Sequence, residues 1–206
     1  MRHIAACALA MLSFAAAASA DPIDFEQDSP GAKANGFTSF DSPIVHFYDT
    51  NGNGMDIANA GGETNNTQGL RVFDDGDGSM LGMDFDLNMG ALSLDFGNDD
   101  PNWTNPGDLA ILKLYNNGVF VGMSIVVLNR DDIMNQSIGW SGPNFDQAFF
   151  YFGDSNFQPY TGGGQRNVGL IEVVDNINYR VPEPSLLALS GLGALVVAWR
   201  RRRKIA

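Results

Sequence analysis

The sequence predicts an all-β body, a two-sheet antiparallel sandwich of the jelly-roll kind, held between an export signal and an apolar, basic tail. Three observations carry that fold class. Apolar and polar residues alternate over short runs, most cleanly in Gly90–Gly97. There Leu92, Leu94 and Phe96 fall on one side and Ser93 and Asp95 on the other. Gly, Asn, Asp and Pro punctuate these runs, and no amphipathic helix of useful length lies between them. No repeat of blade length is present, which argues against a propeller.

Taken in chain order, residues 1–20 read as a secretory signal helix. Arg2 supplies the positive start, Ile4 to Ala18 are apolar, and Ala18-Ser19-Ala20 is a small-x-small cleavage site for signal peptidase. The one cysteine, Cys7, lies inside this segment, so the mature chain cannot rely on disulfides. The body spans residues 21–180. Its candidate strands are Ile44–Tyr48, Gly69–Phe73, Gly82–Leu87, Gly90–Gly97, Leu109–Tyr115, Gly118–Leu128, Asp146–Phe152 and Val168–Val174. Asn116-Asn117 joins two of them as a hairpin, with Asn-Gly chemistry suited to positive φ. Gly52–Gly69 and Asp99–Gly107 read as long loops.

Residues 181–206 form a third segment. Pro182, Glu183 and Pro184 interrupt regular structure, fifteen mostly apolar residues run from Ser185 to Trp199, and Arg200, Arg201, Arg202, Arg203 and Lys204 follow. A helix of that length rises roughly 22 Å, short of a ~30 Å hydrocarbon core, and spans with help from snorkelling arginines. The expectation is a single transmembrane helix with its basic cluster held on the cytoplasmic side.

The order of these three parts resembles the PEP-CTERM sorting signal of Gram-negative bacteria. The resemblance implies pausing in the inner membrane and cleavage near Pro182-Glu183-Pro184 by an exosortase. It also implies a final location at the cell surface, outer membrane or extracellular matrix.

Charge narrows the partners. Twenty-four acidic residues face twelve basic ones over the whole chain. The body alone has six basic residues (Lys33, Arg71, Lys113, Arg130, Arg166, Arg180) against twenty-three acidic, a net charge of −17. Nucleic acid is excluded, because phosphate binding needs a basic footprint. Divalent cations and neutral sugars fit, and so does acidity that serves only solubility.

The body carries a second resemblance. Asp24-Phe25-Glu26 opens it, Gly169–Tyr179 (GLIEVVDNINY) closes it, and the phrases ALSLDFGN and FDQAFFYFG lie between. Together they are similar to galactose-binding-like jelly rolls of carbohydrate-binding modules. The resemblance implies that first and last strands meet and that their acids hold a structural Ca²⁺. Glu26 and Asp175 would be ligands, with Asp24 beside them.

Two loops are further calcium candidates. Asp49, Asn51 and Asn53 place oxygens at alternate positions before Gly54, as in the first half of an EF-hand loop. The twelfth position holds Ala60 where a bidentate Glu is wanted, and a plain turn explains the same residues. Asp74, Asp75 and Asp77 crowd one glycine-rich turn, either around an ion or in open solvent.

Catalytic signals are sparse. The mature chain has one histidine, His46, in an apolar run that suits a structural role, and no Gly-x-Ser-x-Gly elbow or phosphate loop. Trp103 and Tyr160 sit in loop-like contexts where an aromatic ring can stack on sugar CH groups, while Trp140 and Phe145 read as plugs at the end of the sandwich. The sequence thus points to an exported, non-enzymatic β-sandwich, stabilised by Ca²⁺, that associates with extracellular polysaccharide. The alternatives are a structural or adhesive matrix protein with no small ligand, and a glycosidase or lyase.

Overall fold

The computed structural model describes residues 22–182, apart from 53, 73–77, 98 and 161–171. Ten strands run in chain order: β1 (Gly31–Lys33), β2 (Phe37–Ser39), β3 (Ser42–Asp49), β4 (Met55–Ala58), β5 (Gly69–Val72), β6 (Leu81–Gly97), β7 (Leu109–Asn116), β8 (Val119–Val127), β9 (Gln136–Gly153) and β10 (Glu172–Arg180). A single 3-10 turn, Gly61–Thr64, precedes β5.

The all-β class holds, but the expectation of two separate sheets does not. Every described strand joins one antiparallel sheet in the order β1-β4-β5-β10-β6-β9-β7-β8, with β2 and β3 attached along β6. The reason lies in β6 and β9, of 17 and 18 residues, which pair with each other and run through both halves of the sheet. The first part of β6 pairs with β3, and its last part pairs with β10. The last part of β9 pairs with β7.

The sheet folds back on itself. Leu81 pairs with Phe150, and Phe96 lies fifteen residues further along β6. A straight strand would carry it roughly 50 Å away. Instead the rings of Phe96 and Phe150 are 5.5 Å apart. Register shifts between Asp84 and Met89, and again between Met89 and Ala91, place the bend. The core fills the space inside the fold: Val45, Phe47, Leu81, Met83, Phe150 and Phe152 from one half meet Leu92, Leu94, Phe96, Ile138, Val174 and Ile177 from the other.

Local chemistry explains where the strands stop. The β7–β8 hairpin turns at Asn117 (φ 49°) and Gly118 (φ 75°), one residue later than Asn116-Asn117. Positive φ at both positions is the geometry that Asn-Gly favours. The expected loop Gly52–Gly69 in fact contains β4 and the 3-10 turn, since Met55 and Ile57 alternate inward from Asp56 and Ala58. The Asp24–Glu26 segment is not a strand: Ile23 alone bridges Ile177, and Phe25 breaks the run at φ 58°.

The segments expected to form a signal helix and a transmembrane helix lie outside the described residues. Among the described residues, no helix is long and apolar enough to cross a membrane. Residues 19–182 form one compact unit by themselves.

Phe150 is fully buried where the two halves meet, with Phe96 and Phe152 rings each 5.5 Å away. Phe150→Ala should cost about 3–5 kcal/mol in urea unfolding. Leu87→Ala, at a half-exposed position, should stay within about 0.5 kcal/mol.

Candidate functional site

Asp175 pairs with Asp95, and directly after it β10 bulges before Asn178, with Asn176 at φ 49°. Asp175 is 3% exposed. One carboxylate oxygen accepts the Asn176 N–H (2.7 Å), and the other accepts the Thr67 hydroxyl (3.2 Å). The Ile23–Ile177 bridge, with bonds of 2.9 and 3.0 Å, brings the N-terminal segment alongside. Asp24 accepts the Glu26 N–H (3.0 Å), and Glu26 accepts the Gln68 N–H (2.6 Å). Gln68 Nε2 donates to the carbonyls of Phe25, Glu26 and Asp28, and its Oε1 is buried without a hydrogen-bond partner.

Burial pushes the Asp175 carboxyl up to about 7, against the pull of its bonds from Asn176 and Thr67. The charges of Asp24 and Glu26 add to the rise. Glu26, Asp24 and Asp175, paired from the sequence, are therefore neighbours that feel one another. Among the described residues, however, no group of three His, Cys, Asp or Glu side chains is set to hold a metal ion. An ion here must complete its shell with amide and carbonyl oxygens, which Ca²⁺ accepts and which Gln68 Oε1 could supply.

The other loops are built differently. Asp49 is buried in its own turn, its carboxylate taking the N–H groups of Asn51 (2.9 Å) and Gly54 (2.8 Å), which is the geometry of the plain turn. Asn53, Asp74, Asp75 and Asp77 lie outside the described residues. Asp99 is likewise spent on backbone: it accepts the N–H groups of Arg130 (2.5 Å) and Asp132 (2.9 Å), both at positive φ. His46 Nε2 sits 3.0 Å from Asp86 Oδ1 at the surface.

The sugar-stacking reading of Tyr160 is corrected: its ring is 8% exposed and belongs to the core, so it offers no free face. Trp103 is half-buried and packs against the same core. Trp140 also packs there, over Gly122 and Gly142, and Phe145 is fully buried.

Sequence reasoning missed a shallow groove of about 480 Å³. Ala91 and Ser93 of β6, Gly139 and Ser141 of β9, and Asn178 and Arg180 of β10 line it. Small residues at alternate positions leave room on this face of the sheet. Gly139 is closely approached: a Cβ there would lie 3.0 Å from Ser93 Cβ and the Leu92 carbonyl oxygen. The alternation of Ala, Ser and Gly opposite a buried apolar face was the signal available in the sequence.

Beyond Arg180 the chain leaves the sheet. Val181 packs against the core, and Pro182 lies against Gly90, whose Cβ would be 3.3 Å from Pro182 Cγ. Glu183, Pro184 and Arg200 to Arg203 lie outside the described residues. Residues 180–203 match the family model of the PEP-CTERM protein-sorting motif.

The chain carries a PEP-CTERM sorting signal. That signal implies processing by an exosortase and export to the cell envelope or surface of a Gram-negative bacterium. The PEP-CTERM match covers the tail and not the body. The body is similar to the crystal structure of a DUF4465 family protein from Bacteroides caccae. Identity is 13%, the TM-score is 0.42, and the likeness covers 74% of this chain and 86% of that one. No curated protein matches the chain.

The Asp175 shift has a definite sign. An unfolded Asp ionises near ~4, whereas folded Asp175 holds its proton to about 7. The folded state therefore binds the extra proton in between. Stability from this group is full below pH ~4, falls as pH rises and levels off above pH ~7. In chelator, Asp175→Asn should flatten this part of the pH–stability curve and melt above the wild type at pH ~8. A variant with an unchanged slope would show that Asp175 is not the group responsible.

Proposed function

We propose that the processed body works at the cell surface or in the surrounding matrix as a non-catalytic module that associates with extracellular polysaccharide. In this reading Ca²⁺ at Glu26 and Asp175, with Asp24 beside them and amide and carbonyl oxygens completing the shell, stabilises the module. The observation that carries the polysaccharide reading is the groove over β10, β6 and β9. Sugars present hydroxyls and CH faces together, and they suit sites where a few polar groups border an apolar floor. Ser93, Ser141, Asn178 and Arg180 offer hydroxyl, amide and guanidinium groups around Ala91 and Gly139.

The groove lining contains no Asp, Glu or His. Glycoside hydrolysis uses two carboxylates flanking the bond, so the lining favours binding over cleavage. For calcium, the support is a deeply buried carboxylate whose charged neighbours, Asp24 and Glu26, are both acidic. A divalent cation would relieve that repulsion and hold Asp175 ionised at neutral pH.

Affinity electrophoresis of residues 19–182 through gels containing bacterial exopolysaccharides, the producer's own matrix included, tests the first part. Wild-type protein should be retarded, Asn178→Ala less so, and Ser141→Trp, which fills the groove, not at all. Free migration of the wild type in every polymer would sink the polysaccharide reading. For the second part, added Ca²⁺ should raise the wild-type melting temperature by mass action and leave Asp175→Asn unmoved. Equal responses of the two proteins would remove the ion from this place.

A further inference from the structure

We propose that β8 is the surface through which two copies of the body join, edge to edge. This goes beyond the polysaccharide reading and does not depend on it. Among the described strands β8 ends the sheet, pairing with β7 alone. Its nine residues, VFVGMSIVV, include no charge and no proline. The other outer strands are short: β1 has three residues, one of them Lys33, and β2, paired with β3 alone, also has three. β8 carries neither device.

The backbone of β8 is available for pairing. Leu128 N–H donates to the Asp108 carbonyl (2.9 Å), so position 128 points its backbone groups at the neighbouring chain. In an antiparallel pair the next residues alternate, which turns Val127, Ile125 and Met123 outward. Gln136 Nε2 already occupies the Val127 carbonyl (2.9 Å). Ser124 Oγ donates to the Gly139 carbonyl of β9 (2.6 Å), and the pairing with β7 shifts register opposite Val121. The run that can take a new strand is therefore Gly122–Val126, with the backbone groups of Ile125 and Met123 at its centre. Val119, Phe120, Ile125 and Val127 are also 49–66% exposed, an apolar border along that edge.

A second copy is the occupant that charge selects. Bodies of net charge −17 repel one another over most of their surface. A neutral strand is where two such bodies can touch without apposing carboxylates. The uncharged run Gly122–Val126, beyond the register shift opposite Val121, is also self-complementary about a two-fold axis, as an isologous dimer requires. The area sets the strength. An exposed apolar patch of roughly 300–600 Å² on each copy buries roughly 600–1,200 Å², less than the ~1,600 Å² of a standard stable interface. The dimer is thus reversible and depends on concentration.

Sedimentation equilibrium of residues 19–182 over a concentration series, at low and high salt, tests the proposal. The expected result is a monomer–dimer equilibrium that shifts toward dimer as salt screens the acidic bodies. Ile125→Lys and Val119→Lys should each weaken dimerisation by about tenfold or more, which corresponds to about 1.4 kcal/mol. Their melting temperatures should match the wild type, while Leu87→Lys, exposed but away from this edge, should dimerise as before. A wild type that stays monomeric at every concentration and salt overturns the proposal. So does a dimer that survives both β8 variants, dissociates with salt or is lost in Leu87→Lys.

Discussion

The contact on which the rest of the molecule depends is that of Phe96 with Phe150. These two residues belong to opposite ends of one strand pairing, yet their rings touch. That contact requires β6 and β9 to bend together. The bend gives the single sheet an inside, where Leu92, Leu94, Val45 and Phe47 lose water. Without it, a flat sheet of this length would expose one apolar face, and no α-helix among the described residues covers it. The bulges on β6 and β9 are therefore the hinge that makes a core possible in a chain with no disulfide after Cys7.

The sequence made the strands legible wherever alternation was strong. Leu92, Leu94 and Phe96 point inward as their spacing demands, and the β7–β8 hairpin closes through Asn117-Gly118. Connectivity was less legible. Nothing in Gly82–Leu87 and Gly90–Gly97 announces that they are one strand, because Gly90 reads as a break when it is in fact part of a bend. β4 was hidden for a related reason: four residues among Asn and Gly provide only two inward positions. The pairing of Glu26 with Asp175 came from the resemblance to galactose-binding-like jelly rolls and not from the spacing of the residues. The burial that raises Asp175 came from the bulge at Asn176, a backbone event with no sequence signature. Tyr160 was misplaced because a loop-like setting says nothing about which way a ring points. The groove escaped notice because it is defined by small side chains, which carry no chemical flag until three strands lie side by side.

The acidic character of the body is divided between two uses. Many carboxylates serve the backbone directly: Asp49 and Asp99 each collect two N–H groups from a tight loop and so replace ladder bonds where the chain turns. Others are partly or wholly covered. Burial raises the carboxyls of Asp41, Glu63, Asp95 and Asp132 as well as Asp175, which makes the folded body more tolerant of protonation than its composition suggests. Acidity here is a structural resource first and a surface property second.

β10 is the last described strand along the chain, yet it lies in the interior of the sheet, bonded to β5 on one side and β6 on the other. During export the strands emerge in chain order, so the sheet has a slot between β5 and β6 until the end. Closing that slot joins residues far apart in sequence, a slow step by the usual relation of folding rate to contact order. The sorting motif begins at residue 180, where β10 finishes. A chain cut short before that point lacks both its closing strand and its address. The last strand to complete the sheet and the first residue of the sorting motif are thus the same stretch of chain.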